Sequence, residues 1–314
     1  MNKETLSKTS KLIKPHVHKT AVLSSQLLNN IVGAELFFKC ENFQKMGAFK
    51  MRGATNAIMQ LSEAQLEKGV VTHSSGNFAQ AVSLAAKSLD VKAYIVMPEN
   101  APQVKKNAVL GYGGNITECK PTVEARQNAA NDIVEEKGAT FIHPSNNLNV
   151  IIGNSTAAIE LLEDYNNLDY IITPVGGGGL IAGTALAAQY FGGKCEVIGA
   201  EPKEADDAYR SLLSGKIESN STTNTIADGL RTELGDVNFP IIKQQVKQII
   251  RVEETEIVAA MQLIYQRLKI VVEPSSATAL AAIIKQKHQF LNKKIGVILS
   301  GGNVDLTQLP FGKY

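Results

Sequence analysis

The sequence predicts an α/β protein with doubly wound, parallel-rich sheets. Three observations predict it. Short β-rich runs alternate with helical patterns along almost the whole chain. The runs are mostly apolar on both faces, as strands covered by helices on either side must be. Several of them break into glycine- or serine-rich turns that open directly into a helix.

In chain order the strand candidates are AELFFKCE (34–41), GVVTHSS (69–75), KAYIVMP (92–98), NITECK (115–120), ATFIHP (139–144), DYIITPVG (169–176), CEVIGAEP (195–202), IIRVEE (249–254) and KIGVILSGG (294–302). Helical patterns lie between them, among them FAQAVSLAAKSL, TVEARQNAANDIVEEKG and SATALAAIIKQKHQF. That many strands is a lot for one small sheet, so two sheets are expected. The polar run SNNLN, near Asn146–Asn149, is the natural boundary. Ser214–Thr225 (SGKIESNSTTNT) reads as a loop, and no internal repeat or low-complexity tract is visible.

Composition narrows the function classes. The 314 residues suffice for one large domain or two ordinary ones, and a 44% hydrophobic content supports a sizeable core. A net charge of +2 gives no reason to expect a nucleic-acid or membrane-surface partner. Cys40, Cys119 and Cys195 are few and widely spaced, which argues against a disulfide framework and for a reducing compartment. The N-terminal stretch has no apolar signal core and no run approaches membrane-spanning length, so a cytoplasmic protein is expected.

The chemistry concentrates in four turns: THSSGNFAQA (72–81), TPVGGGGLIAG (173–183), VVEPSSATALAA (271–282) and VILSGGNVDL (297–306). Ligands of parallel α/β sheets bind at the carboxyl ends of strands. Four consecutive glycines before a helix leave backbone N–H groups bare beside the positive end of the helix dipole, which makes a phosphate cradle. The run is not GxxxxGK[ST]. It is a poor dinucleotide fingerprint, since no acidic residue ends a suitable second strand. Lys50, in MGAFKMRGATNA (46–57), stands at a helix start among small and apolar residues. A snorkelling lysine is the ordinary reading of such a residue. A partly desolvated lysine kept for covalent chemistry is the other. A phosphate cradle with a solitary lysine suggests a phosphate-bearing aldehyde, and pyridoxal phosphate fits.

These motifs, in this order over essentially the whole chain, resemble the fold-type II pyridoxal-phosphate enzymes, specifically the serine racemase and serine/threonine dehydratase group. The resemblance implies a tryptophan synthase β-like fold with a large domain of residues 1–66 and 148–314 and a small one of residues 67–147. It implies Lys50 as the Schiff-base lysine and Cα base, and Phe49 packed beside the cofactor ring. Asn77 would donate to the ring's phenolic oxygen, and Gly176, Gly177, Gly178 and Gly179 with Leu180 would hold the phosphate. Gly229 and Glu273 would wall the pocket, and Ser300 would meet the pyridine nitrogen. A hydroxyl there, in place of a carboxylate, suits β-elimination. Ser75 would face Lys50 as a second catalytic base in racemisation, and Ser74, Ser75, Asn77, Phe78, Arg126 and Thr232 would contact substrate. GAEPKEADDAY (199–209) resembles the group's divalent-cation site, with Glu201, the Ala205 carbonyl and Asp207 as oxygen ligands for Mg²⁺ or Ca²⁺.

The implied activity is serine dehydration with serine racemisation. Threonine or threo-3-hydroxyaspartate dehydration is the alternative, and a non-catalytic cofactor- or amino-acid-binding protein the reading from another class. The expected partners are a small amino-acid substrate and a second copy in a homodimer. Phe78 departs from the group's usual histidine, and Met46, Ala48, Ser145 and GNST (153–156) depart around the substrate. Gln80, Tyr112 and Asn303 match parts of a nucleotide site found in some racemases of the group and Met46 does not, so a nucleotide is left out of the expected partners.

Overall fold

The computed structural model describes residues 1–311. Its strands are β1 (Val22–Leu23), β2 (Glu35–Cys40), β3 (Val70–His73), β4 (Ala93–Pro98), β5 (Asn115–Cys119), β6 (Thr140–Phe141), β7 (Tyr170–Pro174), β8 (Glu196–Pro202), β9 (Val246–Val252) and β10 (Lys294–Leu299). Its helices are α1 (Lys3–Ile13), α2 (Gln26–Val32), α3 (Lys50–Met59), α4 (Glu63–Lys68), α5 (Asn77–Ser88), α6 (Gln103–Gly111), α7 (Val123–Lys137), α8 (Leu148–Asp164), α9 (Gly179–Phe191), α10 (Asp207–Ser214), α11 (Phe239–Gln245), α12 (Glu254–Arg267) and α13 (Pro274–Lys285).

Two sheets form, in the orders β1-β2-β10-β7-β8-β9 and β5-β4-β3-β6. Every pairing is parallel except β1 with β2. Both faces of both sheets are covered, which is why the strands are not amphipathic. Leu36, Phe38 and Val297 pack into one core of the large sheet and Ile171, Val197 and Ile298 into the other. On the small sheet Val70, Ile95 and Met97 point one way and Val71 and Val96 the other.

All nine expected strands form, with altered ends. The run at 139–144 keeps only two paired residues, because His143 and Pro144 leave the ladder to make a turn. The run at 249–254 starts earlier, at Val246, and stops at Val252 because Glu253 becomes the cap of α12 in a capping box with Glu256. The two-residue β1 was not anticipated, since it is too short to carry a periodic signal. The SNNLN run is the start of α8, where the Asn147 side chain accepts from the Val150 amide at 3.1 Å. Among the described residues no helix is long and apolar enough to cross a membrane.

The helix that carries Lys50 is held by close backbone packing. A Cβ on Gly153 of α8 would lie 2.8 Å from the Gly53 Cα of α3, so the two helices touch glycine to glycine. α8 also packs along α9, the helix that follows the four glycines. The lysine and the glycine loop are thereby referred to a common support.

Candidate active site

The segment before Lys50 runs beside the loop that follows β10. Gly302 donates to the Gly47 carbonyl at 2.9 Å, Ala48 bridges Gly301, and Phe49 donates to the Ser300 carbonyl at 3.0 Å. Met46 takes a left-handed φ of 56° at the head of this ribbon. Lys50 then opens α3. Its Nζ donates to the Pro144 carbonyl at 2.8 Å and lies 5.1 Å from the Phe49 ring centroid and 5.5 Å from that of Phe78. Lys50 is partly open to the cleft, yet the protein packed around its ammonium disfavours the charged form. Desolvation, opposed by the nearby Glu273 carboxylate, brings its pKa down to about 8.

The glycine loop lies against the same turn. A Cβ on Gly179 would sit 3.0 Å from the Ser145 Cα, and one on Gly176 would sit 2.8 Å from the Leu230 Cα. Gly178 is left-handed, with φ 77°, and caps α9. Asn238, fully buried, donates to the Gly177 carbonyl at 2.9 Å and the Ser145 carbonyl at 3.3 Å. These contacts leave no room for side chains beside the start of α9, where an anion is favoured. Leu180 is buried in the first turn of α9.

Ser300 and Glu273 form the adjoining wall. The Ser276 hydroxyl donates to the Gly301 carbonyl and accepts from the Gly301 amide, both at 2.7 Å, and pairs with the Ser300 hydroxyl at 3.1 Å. Glu273 is the N-cap residue of α13 and is buried, and among the described residues no lysine or arginine forms an ion pair with it. Burial pushes its pKa up to about 7, with the Asn77 amide pulling the other way. Asn77 Nδ2 donates to both Glu273 oxygens, at 3.1 and 3.0 Å. Gly229 donates to the Ser275 hydroxyl at 3.1 Å, which fixes it beside Glu273.

The SSGN turn projects from β3 into this space. Ser74 Oγ accepts from the Gly76 amide at 3.3 Å, Phe78 is buried, and Ser75 Oγ makes no protein hydrogen bond among the described residues. Thr232 is exposed and borders Gly177. Arg126 is not drawn into the cluster. Its Nε donates to the Thr122 carbonyl of its own helix at 3.3 Å. Arg231 likewise spends its Nε and one terminal nitrogen on the Thr225 carbonyl, at 3.2 and 2.6 Å.

Sequence reading missed several supports of the site. His143 Nδ1 accepts from the Ser145 and Asn146 amides at 3.2 and 2.8 Å, which turns the Pro144 carbonyl toward Lys50. Burial, with His73 and Lys50 nearby, lowers its pKa to about 4 and keeps it neutral. Asn238 and Ser276 were equally silent, because nothing local marks a polar residue that reaches a distant loop.

A second cluster lies at the end of β8. Glu201 and Asp207 are fully buried, as is Ala205 in the turn between them. Glu201 Oε1 accepts from the Ala208 amide at 3.1 Å and Oε2 from the Tyr209 amide at 2.9 Å. Asp207 accepts from Asn220 Nδ2 at 2.8 Å and the Leu234 amide at 2.9 Å. No lysine or arginine among the described residues pairs with either. Burial raises both pKa values, that of Asp207 to about 6; the Asp207 anion pushes Glu201 further up, and Glu233 does the same to Asp207. Two buried carboxylates without a cation suit a hard metal ion.

The cradle and the desolvated lysine fit pyridoxal phosphate, and the oxygen-only pair fits Mg²⁺ or Ca²⁺. A family profile described as "Pyridoxal-phosphate dependent enzyme" matches residues 13–301. The chain is 52% identical over 308 residues to a serine racemase of Dictyostelium discoideum, covering 97% of this chain and 95% of that protein. It is 48% identical over 299 residues to a β-hydroxyaspartate dehydratase of Paracoccus denitrificans, covering 95% of each. The crystal structure of the Dictyostelium discoideum serine racemase superposes with a TM-score of 0.94 over 98% of this chain and 99% of that one. A likeness of this extent, on a chain whose desolvated lysine and glycine cradle already suit the cofactor, carries one conclusion: the chain belongs to the fold-type II pyridoxal-phosphate-dependent enzymes, within the serine racemase and serine/threonine dehydratase family.

Proposed function

We propose that the chain dehydrates serine and interconverts its enantiomers. The observation that carries this reading is the pairing of a lysine amine lowered to about pKa 8 with an unengaged hydroxyl, that of Ser75, on the turn facing the same cleft. Lys50, Phe49, Asn77, Gly176 to Gly179, Leu180, Gly229, Glu273 and Ser300 would hold pyridoxal phosphate. Bound there, the cofactor supplies the electron-withdrawing ring that makes the Cα proton of an amino acid removable.

Lys50 Nζ takes that proton, a step its lowered pKa suits at neutral pH. Ser75 Oγ returns a proton to the opposite face for racemisation. Departure of the β-hydroxyl as water gives elimination. Ser74 and Asn77 orient the substrate, Phe78 excludes water, and Thr232 receives the carboxylate. Glu201, the Ala205 carbonyl and Asp207 would hold Mg²⁺ or Ca²⁺, whose charge would offset the two buried carboxylates. Residues 1–66 with 148–314 and residues 67–147 act as two units around the substrate. The protein works as a cytoplasmic homodimer.

The Paracoccus relative supports a second reading, dehydration of 3-hydroxyaspartate. One assay separates the two. L-serine, D-serine, L-threonine and L-threo-3-hydroxyaspartate are supplied with Mg²⁺, and keto acid and D-serine are scored together. Pyruvate and D-serine from L-serine support the proposal, and Ser75→Ala is expected to abolish D-serine formation while elimination from L-serine persists. Keto acid from hydroxyaspartate alone selects the second reading. No keto acid from any substrate overturns both. Acylation of Lys50 in protein stripped of cofactor is expected to rise with pH around a midpoint near 8, and a midpoint near that of exposed lysines, about 10.4, would remove the argument for a primed amine.

A further inference from the structure

Asn303 lies in the SGGN loop after β10 and sits where three segments meet. Its Nδ2 donates to the Met46 carbonyl at 2.8 Å and to Asn77 Oδ1 at 2.9 Å. Asn77 Nδ2 in turn donates to both oxygens of Glu273. The Asn303 backbone amide also faces Glu273.

The polarity of this chain is forced from one end. A backbone carbonyl can only accept, so the Asn303 atom against Met46 must be the NH₂ group. The second hydrogen of that group points to Asn77, so the Asn77 atom it meets must be Oδ1. The Asn77 NH₂ is then turned the other way, toward Glu273 and the cleft. The Met46 carbonyl does not titrate, and its direction is set by the left-handed Met46–Gly47 backbone, with φ values of 56° and 78°, and by the Gly302 to Gly47 hydrogen bond. The orientation therefore holds whether or not Glu273 carries a proton. A free asparagine amide has no such preference, because its two ends are nearly the same shape.

We infer that Asn303 is a positioning residue that sets the amide orientation of Asn77, so that Nδ2 and not Oδ1 is presented to the cofactor's ring oxygen. The inference rests on the proposed role of Asn77 as a donor to that oxygen. It assigns to the SGGN loop a second task besides carrying Ser300. It also ties three pieces of the site into one unit: the Lys50 segment, the loop of the large sheet and the first helix after β3.

The test is a double-mutant cycle read by cofactor affinity. Full-length protein is stripped of cofactor and titrated with pyridoxal phosphate, followed by its visible absorbance, in four forms: unmodified, Asn303→Asp, Asn77→Ala and the double variant. Asn303→Asp keeps the shape and reverses the polarity at both contacts. It is expected to weaken binding at least tenfold in the unmodified background and less than twofold in the Asn77→Ala background. Equal weakening in both backgrounds would overturn the inference, since added charge or a loosened Met46 turn acts regardless of Asn77. A change within twofold in the unmodified background would overturn it too. Asn303→Ala removes the donor without reversing it and is expected to weaken binding less than Asn303→Asp. An equal or larger loss would overturn the polarity argument even if the aspartate variant does not fold. Failure of the unmodified protein to bind pyridoxal phosphate would overturn the cofactor assignment itself, and this inference with it.

Discussion

Two buried charge clusters differ in a way that separates scaffold from receptor. Around Arg52 the charges balance. Arg52 meets Glu41 at 2.7 and 2.9 Å and Glu160 at 2.8 Å through two of its nitrogens, and Lys39 meets Glu160 at 2.6 Å. Burial alone would raise the Glu41 pKa, but Arg52 more than offsets it and holds the carboxyl below the usual range. Around Glu201 the charges do not balance. Two carboxylates are buried with amide donors only, and their pKa values rise. The neighbouring Asp206 sharpens the contrast, since it takes Arg210 at 2.7 Å and Arg251 at 2.8 Å and its pKa falls. Arginines stand beside the pair and bind the more exposed aspartate instead. A satisfied ionic cluster pins α3 to β2 and α8 and needs nothing further. The unsatisfied one leaves two carboxylates whose burial a cation would offset.

The largest expected effect comes from breaking the balanced cluster. Arg52→Met would leave Glu41 and Glu160 buried without their main cation and is expected to cost about 3–5 kcal/mol in denaturant unfolding. A loss below about 1 kcal/mol would mean that water reaches these groups, and the contrast would fail. Next comes filling the unbalanced cluster. Mg²⁺ or Ca²⁺ at a hundredfold excess over its dissociation constant is expected to add about 2.7 kcal/mol of stability. Glu201→Gln should abolish that gain, and thermal melts with and without chelator would show it. A gain that survives Glu201→Gln would place the ion elsewhere.

Removing the cation should expose a pH dependence of the opposite kind to ordinary paired carboxylates. The Asp207 pKa is raised from 3.8 to about 6 in the folded protein. Its favourable contribution is therefore full below the unfolded value and is lost as pH rises through about 6. Chelated protein should gain about 1 kcal/mol from this group between pH 7 and pH 5, and Asp207→Asn should flatten that part of the profile. Stability that falls over the same interval through this residue would show it paired in the fold. The smallest effect belongs to the partly exposed neighbour. Arg210→Ala is expected to cost under about 1 kcal/mol, because Arg251 still pairs with Asp206. A larger cost would mean that Arg210 also holds the buried pair.

Contiguity decided how much could be read in advance. Lys50, SSGN, the four glycines and SGGN are each a short run whose chemistry is local, and all four meet around one cleft. Glu201, Ala205 and Asp207 are likewise near one another in sequence, and a strand end and the next helix bring them together. The Arg52 cluster was not, although Arg52 stands two residues from Lys50. Its partners lie between 11 and 108 positions away, and nothing in a single window marks a charged residue as buried. His143 holds the turn that faces Lys50, and that hold appears only when the turn is seen. Met46 read as an apolar approach to the lysine. Its left-handed backbone is imposed by the ribbon with the SGGN loop, and methionine carries no signal for it.

The sequence by itself determined the elements and the chemistry. Strand and helix periods, the bare amides of four glycines and a lysine among apolar neighbours follow from covalent structure and short-range sterics, which any chain segment carries with it. Tertiary structure alone decided the polarity and the charge state. Whether an amide presents its nitrogen or its oxygen, whether a lysine titrates near 8, and whether two carboxylates stand paired or orphaned depend on which distant groups share the same few ångströms. Burial strengthens those interactions, and only the folded chain sets who is buried beside whom.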